Sequence, residues 1–197
     1  GSSSMKLEHT DGVRLLVDDL LPGAEPILRD KLNQELGTPA EGIIRKYVTT
    51  YLDVVDANDS NVYLTASAGN IYLPYPAGTD QNTEFKLFTF DLNRSYTADG
   101  TGVEAAAQNS SPKEITNSKY TTYIEKTTFG IKVNAGKVLG KVVALTWEKQ
   151  GRNFTITATA DSGGTITPIG DVTVLEGQDQ SFVITPSDKY HIRDVLV

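Results

Sequence analysis

The chain has 197 residues and no cysteine; 39% of its residues are hydrophobic and 22% are charged. The lack of cysteine excludes disulfides, thiolate metal sites and a cysteine nucleophile. Acidic residues outnumber basic ones by 25 to 18, which gives a net charge of −7. Because phosphate binding needs clustered Lys and Arg, we expect no nucleic-acid partner. We also expect no membrane insertion, since no apolar run approaches the ~18 residues of a spanning helix.

The chain opens with a polar leader and a first strand. Gly1–Ser4 have the composition of a cloning remnant, and we expect residues 1–10 to form a disordered, tag-derived leader. Apolar residues alternate with polar ones over residues 11–23. This period of two predicts a strand that ends in the turn-forming Leu21-Pro22-Gly23.

A single helix is predicted next. Apolar residues recur on one helical face at Ile27, Leu28, Leu32 and Leu36. Pro26 is tolerated in a first turn, and Gly37 is a typical residue after a helix end. The sequence therefore predicts one short helix over residues 24–36.

After Gly42 the pattern returns to the period of two that is typical of strands. The predicted strands are Tyr47–Val55, Val62–Leu64, Asn70–Pro74, Phe85–Phe90, Tyr120–Glu125, Phe129–Val133 and Val142–Trp147. The polar stretch from Asn93 to Ser118 predicts a functional loop or a mobile insertion. Residues 150–153 are predicted to form a linker between the two modules.

Together these elements predict a mainly all-β fold. We expect residues 11–149 to form an Ig-like β-sandwich that carries the one short helix. Its inward face should contain Ile71, Leu73, Phe85, Leu87, Ile131, Val133, Leu145 and Trp147.

Five segments of this first module also follow a recurrent pattern. They are Tyr51–Val55, Ile71–Thr79, Glu84–Phe90, Thr128–Val133 and Val143–Trp147, and the most specific piece is Leu-Pro-Tyr-Pro-Ala-Gly-Thr at residues 73–79. The pattern resembles a β-sandwich module that recurs in surface proteins of Gram-positive bacteria. No catalytic residues belong to the family pattern, so the resemblance implies none here.

The C-terminal residues 154–197 alternate Thr with apolar residues, as in Phe154–Ala160, and carry turns at Gly163-Gly164 and Glu176-Gly177. They resemble the start of a divergent internalin-type B-repeat, which normally continues with further strands. The resemblance implies a small, truncated β unit. We therefore expect an unpaired strand edge that invites strand addition, a mobile hinge near Lys149–Asn153, and a longer parent chain.

Residue types that build catalytic or metal sites are sparse. His9 and His191 are the only histidines and stand near opposite ends of the chain, so we expect no histidine triad or zinc site. Asp56–Asn61 is rich in oxygen ligands, but Ser67 stands where a calcium loop places its Glu, which favours a hairpin tip. Gly100-Thr101-Gly102 predicts a flexible loop rather than a phosphate cradle. We expect no enzyme activity, cofactor or metal.

The tyrosines leave two alternatives open. Tyr47, Tyr63, Tyr72 and Tyr75 are candidates for glycan contact, because flat rings with a polar edge suit sugar faces. Aromatic residues are also common strand residues, and cross-strand packing is the favoured interpretation.

The resemblances lead to a functional expectation. They imply a non-enzymatic spacer or adhesion-associated module of an extracellular bacterial protein attached to the cell wall or cell surface. Its partners would be neighbouring domains of the same protein, and cell-wall or host glycans or proteins. The alternative is a carbohydrate-binding module that accompanies a secreted glycan-active enzyme.

Overall fold

Two compact units make up the chain. The computed structural model describes residues 13–20, 22–59, 63–64, 69–92, 102–116 and 124–197. The first unit extends to Thr38 and includes Arg45–Glu148, and the second contains Pro39–Ile44 and Lys149–Val197. Both are mainly β with antiparallel pairing, as predicted. The inclusion of Pro39–Ile44 in the second unit is not anticipated by the sequence patterns.

Among the described residues, two antiparallel sheets and three helices lie mainly in the first unit. A six-stranded sheet has the order β1-β2-β9-β5-β6, with β3 also pairing with β2, and a three-stranded sheet has the order β4-β8-β7. The strands are β1 Val13–Asp18, β2 Ile43–Asp56, β3 Tyr63–Leu64, β4 Asn70–Leu73, β5 Phe85–Phe90, β6 Lys113–Glu114, β7 Ile124–Thr127, β8 Gly130–Asn134 and β9 Lys141–Gln150; the helices are α1 Ala24–Leu36, α2 Val103–Asn109 and α3 Ala135–Val138.

Helix α1 has the bounds that the sequence predicts. Leu28 and Leu32 are fully buried, in agreement with the predicted apolar face. Gly37 follows the helix at a φ of 73°, and its N–H donates to the Asn33 carbonyl at 2.9 Å. Arg45 donates to the Gly37 carbonyl at 2.8 Å. The carbonyls at the helix end therefore have partners within the unit.

The expectation of a single helix is wrong, because α2 lies inside the stretch predicted as a loop and α3 follows β8. The α2 sequence, Val-Glu-Ala-Ala-Ala-Gln-Asn, consists mostly of good helix formers, and the buried Ala107 anchors it. Lys31 of α1 donates from Nζ to the carbonyls of Gln108 and Ser110, both at 2.6 Å. These contacts satisfy the carbonyl end of a helix too short to be stable alone. Residues 93–101 and 117–118 of the predicted loop lie outside the described residues.

Hydrophobic side chains cover both faces of the six-stranded sheet. Along β9, Val142 and Ala144 point to one face, and Val143 and Leu145 point to the other. The first face packs against α1 and α2 in the helix-side cluster: Ala24, Leu28, Leu32, Tyr51, Phe88, Phe90, Leu92, Ala107, Val142 and Ala144. The second packs against the small sheet in the sheet-side cluster: Leu52, Phe85, Leu87, Ile115, Ile131, Val133, Val138, Val143, Leu145 and Trp147.

All eight residues predicted to face inward belong with the sheet-side cluster. Six of them are buried members, and Ile71 and Leu73 are partly buried against it. This part of the core prediction is confirmed. The helix-side cluster is the part that the sequence prediction lacks, because a two-layer sandwich leaves the outer face of each sheet to solvent.

The second unit contains two separate strand pairs. Strand β10 (Asn153–Ala158) pairs with β12 (Gly170–Leu175), and β11 (Gly164–Thr167) pairs with β13 (Val183–Pro186). Of the hydrophobic side chains in this unit, only Ala158 and Val174 are buried. Each strand of the unit has one strand partner. Within the described part of the chain, each of these strands therefore has one edge without a strand partner, in agreement with the predicted unpaired edge.

The residues predicted as a linker have hydrogen-bond partners inside the second unit. The Gly42 carbonyl accepts from the Gly151 N–H at 2.9 Å and from Gln150 Nε2 at 3.1 Å. The Arg152 carbonyl accepts from the Glu176 N–H at 2.7 Å. Only Gly151 and Arg152 separate β9 from β10. The domain boundary at this point and its mobility stay predictions.

Candidate functional site

Tyr47 lies on β2 and packs against the helix-side cluster. Its ring is partly buried there, and its hydroxyl donates to Asn33 Oδ1. The guanidinium carbon of Arg29 lies 5.5 Å from the ring centroid, within the range of a cation–π contact. Arg29 thus covers the ring face on which a sugar would stack, and Asn33 accepts the hydrogen bond that the hydroxyl would donate to a sugar.

Tyr75 also packs against other residues of the protein. Its ring stacks on Phe85, with centroids 6.0 Å apart and planes 26° apart, and Phe85 meets Trp147 edge to face at 5.9 Å. The Tyr75 hydroxyl donates to the Thr127 carbonyl at 2.7 Å. Tyr63 belongs to β3, and its side chain lies outside the described residues.

Tyr72 is the described candidate whose ring is exposed. It lies on β4 between Ile71 and Leu73, which turn inward to the sheet-side cluster. The alternation of the strand turns Tyr72 outward, and 51% of it is accessible to solvent. The structure therefore does not bring Tyr47, Tyr72 and Tyr75 together in one row of rings.

Polar residues surround Tyr72 on the solvent side of the small sheet. The strand register places Tyr72 opposite Lys132, and Lys132 opposite Glu125. Lys132 Nζ lies 3.2 Å from Glu125 Oε2. One step along the same face, Asn70 is opposite Asn134. We call these five residues the outer face.

The outer face combines one exposed ring with charged and amide groups. Such a ring can stack on an apolar sugar face, while amide and charged groups offer hydrogen bonds to hydroxyls. The sequence patterns pointed to Tyr72 but not to Lys132 or Glu125. The signal for Lys132 was its position between Ile131 and Val133, where strand alternation turns it away from the core.

Among the described residues, two carboxylates have shifted pKa values, and both belong to ion pairs. A hydrogen bond from Lys141, reinforced by its charge, lowers the pKa of Asp91. In the second unit, a hydrogen bond from Lys149 and another from the Arg152 backbone N–H lower the pKa of Glu176.

Asp91 also borders an open cavity of about 350 Å³ beside α2. The other lining residues are Gly102, Ala105, Ala106, Asn109 and Ser110.

The remaining sequence motifs do not assemble a site among the described residues. Asp56 Oδ1 accepts from the N–H groups of Asn58 and Asp59, at 2.8 and 3.2 Å, which is the bonding of a turn and agrees with the hairpin-tip interpretation. Residues 60–62, His9 and Gly100-Thr101 lie outside the described residues. Across the described ranges, no three His, Cys, Asp or Glu side chains are grouped as a metal site would require.

No helix in the described part of the chain is both long and apolar enough to cross a membrane. No protein-family model matches the sequence, and neither a curated protein nor a solved structure is significantly similar to the chain.

Proposed function

We propose that this chain is a non-enzymatic structural module, a spacer or adhesion-associated domain, of an extracellular bacterial surface protein. The observation that carries the proposal is the use of Tyr47 and Tyr75 in packing. Each donates its hydroxyl to a protein oxygen and packs its ring against a hydrophobic cluster. Rings used in this way stabilise a fold rather than form a ligand platform. The sequence resemblance to Gram-positive surface modules supports a location at the cell wall or cell surface.

The two shifted carboxylates lack the raised pKa of a general acid. Asp91 and Glu176 both have lowered pKa values because lysines contact them. A general acid needs a raised pKa so that it holds its proton near neutral pH. Carboxylates held as anions by ion pairs serve the surface structure instead.

The finer fold assignments belong to the same proposal. Face-to-face packing of two antiparallel sheets through the sheet-side cluster supports an Ig-like sandwich, to which α1 and α2 add a third layer. The short strands of residues 154–197 support the start of a divergent B-repeat. The partners would be neighbouring domains of the same protein, and cell-wall or host glycans or proteins.

Binding measurements test the spacer role against its alternative. For the purified chain on glycan arrays and in calorimetry, we expect no binding tighter than about millimolar, or about −4 kcal/mol. Saturable micromolar binding to a cell-wall or mucin glycan would overturn the spacer role.

The second candidate is a carbohydrate-binding module, and the exposed Tyr72 on the outer face favours it. If this function is the true one, Tyr72→Ala removes the glycan affinity, because the ring is the stacking surface. Tyr190→Ala is the matched control, since Tyr190 is a similarly exposed tyrosine in the second unit. Equal loss in both variants would argue against the outer face as the binding surface.

Immunolabelling tests the location. Antibodies against the purified chain should label intact cells of the bacterium that produces it. Labelling that requires lysis of the cells would contradict a surface location.

A further inference from the structure

Strand β10 presents a free edge of unusual composition. Among the strands that the structure describes, it pairs with β12 alone, and five of its six residues are exposed. Its sequence, Asn-Phe-Thr-Ile-Thr-Ala, contains neither charge nor proline. Natural edge strands use charges, prolines or bulges to prevent pairing with another chain. We propose that a second copy of this chain pairs antiparallel with β10 about a two-fold axis at Thr155.

The strand alternation fixes the register of this pairing. A two-fold axis normal to the sheet places like faces together, so Phe154 can be opposite Phe154, Ile156 or Ala158 of the partner. An axis at Phe154 would pair only residues 153–155 of the strand with one another. Ala158 is buried and Thr157 is exposed. The axis at Thr155 uses the exposed residues 153–157, and it places Phe154 opposite Ile156 twice. Aromatic and β-branched residues form favourable cross-strand pairs.

The same pairing covers apolar surface that the second unit leaves open. Phe154 and Ile156 are 49% and 41% exposed. Both lie on the face of the β10–β12 pair that carries Val172 and Val174. Joining two such pairs produces a four-stranded sheet with one continuous apolar face, and a sheet of this size is more stable than an isolated pair.

The other described edges are less suited to self-pairing. Strand β11 also lacks charge and proline, but β11 and β13 have only four residues each, and β13 ends in Pro186. Strand β12 carries Asp171 and is more covered than β10. Charged residues occur in the edge strands β1, β6 and β7 of the first unit, and Pro74 directly follows β4. When such a strand pairs with its own copy, many registers place the charged side chain opposite the same charge or opposite an apolar residue. Both arrangements disfavour pairing.

Charge substitutions at the axis test the proposal with the whole 197-residue chain. In sedimentation equilibrium, the weight-average mass of the wild-type protein should rise with concentration toward that of a dimer. Thr155→Lys and Thr155→Glu should each weaken the dimer at least about tenfold, because each side chain meets its own copy across the axis. An equimolar mixture of the two variants should associate again, since an ammonium group and a carboxylate then lie opposite each other.

Thr173→Lys is the matched control. Thr173 is exposed and lies directly opposite Thr155 on β12, so the substitution adds the same charge away from the proposed axis. It should leave self-association unchanged. A wild-type protein that stays monomeric up to about 1 mM, a range that includes weak complexes, would overturn the proposal. So would equal effects of Thr155→Lys and Thr173→Lys, or a mixture that does not associate.

Discussion

Leu87 and Phe88 are neighbours in the sequence but contribute to different parts of the core. Leu87 belongs to the sheet-side cluster and Phe88 to the helix-side cluster, and both are fully buried. The reason is the alternation of β5, whose two faces are covered by different layers. A substitution of Leu87 therefore tests the packing between the two sheets, and a substitution of Phe88 tests the packing of the helices on the sheet.

Truncation of Phe88 tests the helix-side cluster. Phe88→Ala should lower the free energy of unfolding of the first unit by about 3–5 kcal/mol, because it leaves a cavity between the sheet and the helices. Urea unfolding followed by Trp147 fluorescence measures the change. Phe129→Ala is the control: Phe129 is 86% exposed, and its loss should change stability by less than about 0.5 kcal/mol.

Glu176 gives the second unit a pH-dependent contribution. Its folded-state pKa is lowered by Lys149 and by the Arg152 N–H, so its contribution is present above the unfolded pKa and disappears as pH falls through the folded one. Glu176→Gln should therefore destabilise the second unit at about pH 7 but match the wild type well below about pH 4. Urea unfolding at both pH values checks this. A difference that persists at low pH would contradict the ion-pair explanation, and Asp179→Asn serves as an exposed control.

At the scale of elements, Gly130 determines how closely β4 approaches β8. Its φ is 138°, and a Cβ at this position would lie 2.4 Å from the Leu73 carbonyl oxygen. Gly130→Ala should cost at least about 2 kcal/mol of stability, because it adds backbone strain and a clash with main-chain atoms. Thermal unfolding provides the measurement.

Gly140→Ala is the matched control for this substitution. Gly140 has a φ of 72°, but no atom lies near its Cβ position. It should cost only about 1 kcal/mol, from the left-handed conformation alone. Equal costs at the two glycines would argue against the close approach of β4.

How well each element could be predicted depended on how many of its residues follow a regular hydrophobic period. Helix α1 is long enough for its period to be read, and Gly37 marks its end. Helix α2 has seven residues, too few for a periodic signal, so a polar context suggested a loop. In β9, Val142–Leu145 is a continuous apolar run, and such a run indicates burial on both faces. That signal could have predicted the helix-side cluster.

The candidate site was predictable only in part. An aromatic residue in a predicted strand is a candidate for glycan contact, and this criterion selects Tyr47 and Tyr75, which face the core, as well as Tyr72. Which tyrosine is exposed depends on strand register and on the layer that covers each face. These are long-range properties that a local pattern does not contain.

For the whole molecule, the two units should differ in resistance to opening. The first unit has two buried clusters, whereas Ala158 and Val174 are the buried hydrophobic residues of the second. Native-state hydrogen exchange should therefore give lower opening free energies for amides of β10–β13 than for β5 and β9. The exchange should be measured at high dilution, so that self-association does not add protection to the amides of β10. Equal protection in both units would contradict this expectation.

The alternation that buries Ile71 and Leu73 while turning Tyr72 and Lys132 to solvent has an evolutionary consequence. Tyr72, Lys132 and Glu125 of the outer face can be exchanged without altering the packing beneath them, because none of these side chains belongs to the sheet-side cluster. Selection can therefore act on surface chemistry and on folding through separate sets of positions. A scaffold of this kind can diversify its surface chemistry while its architecture stays constant.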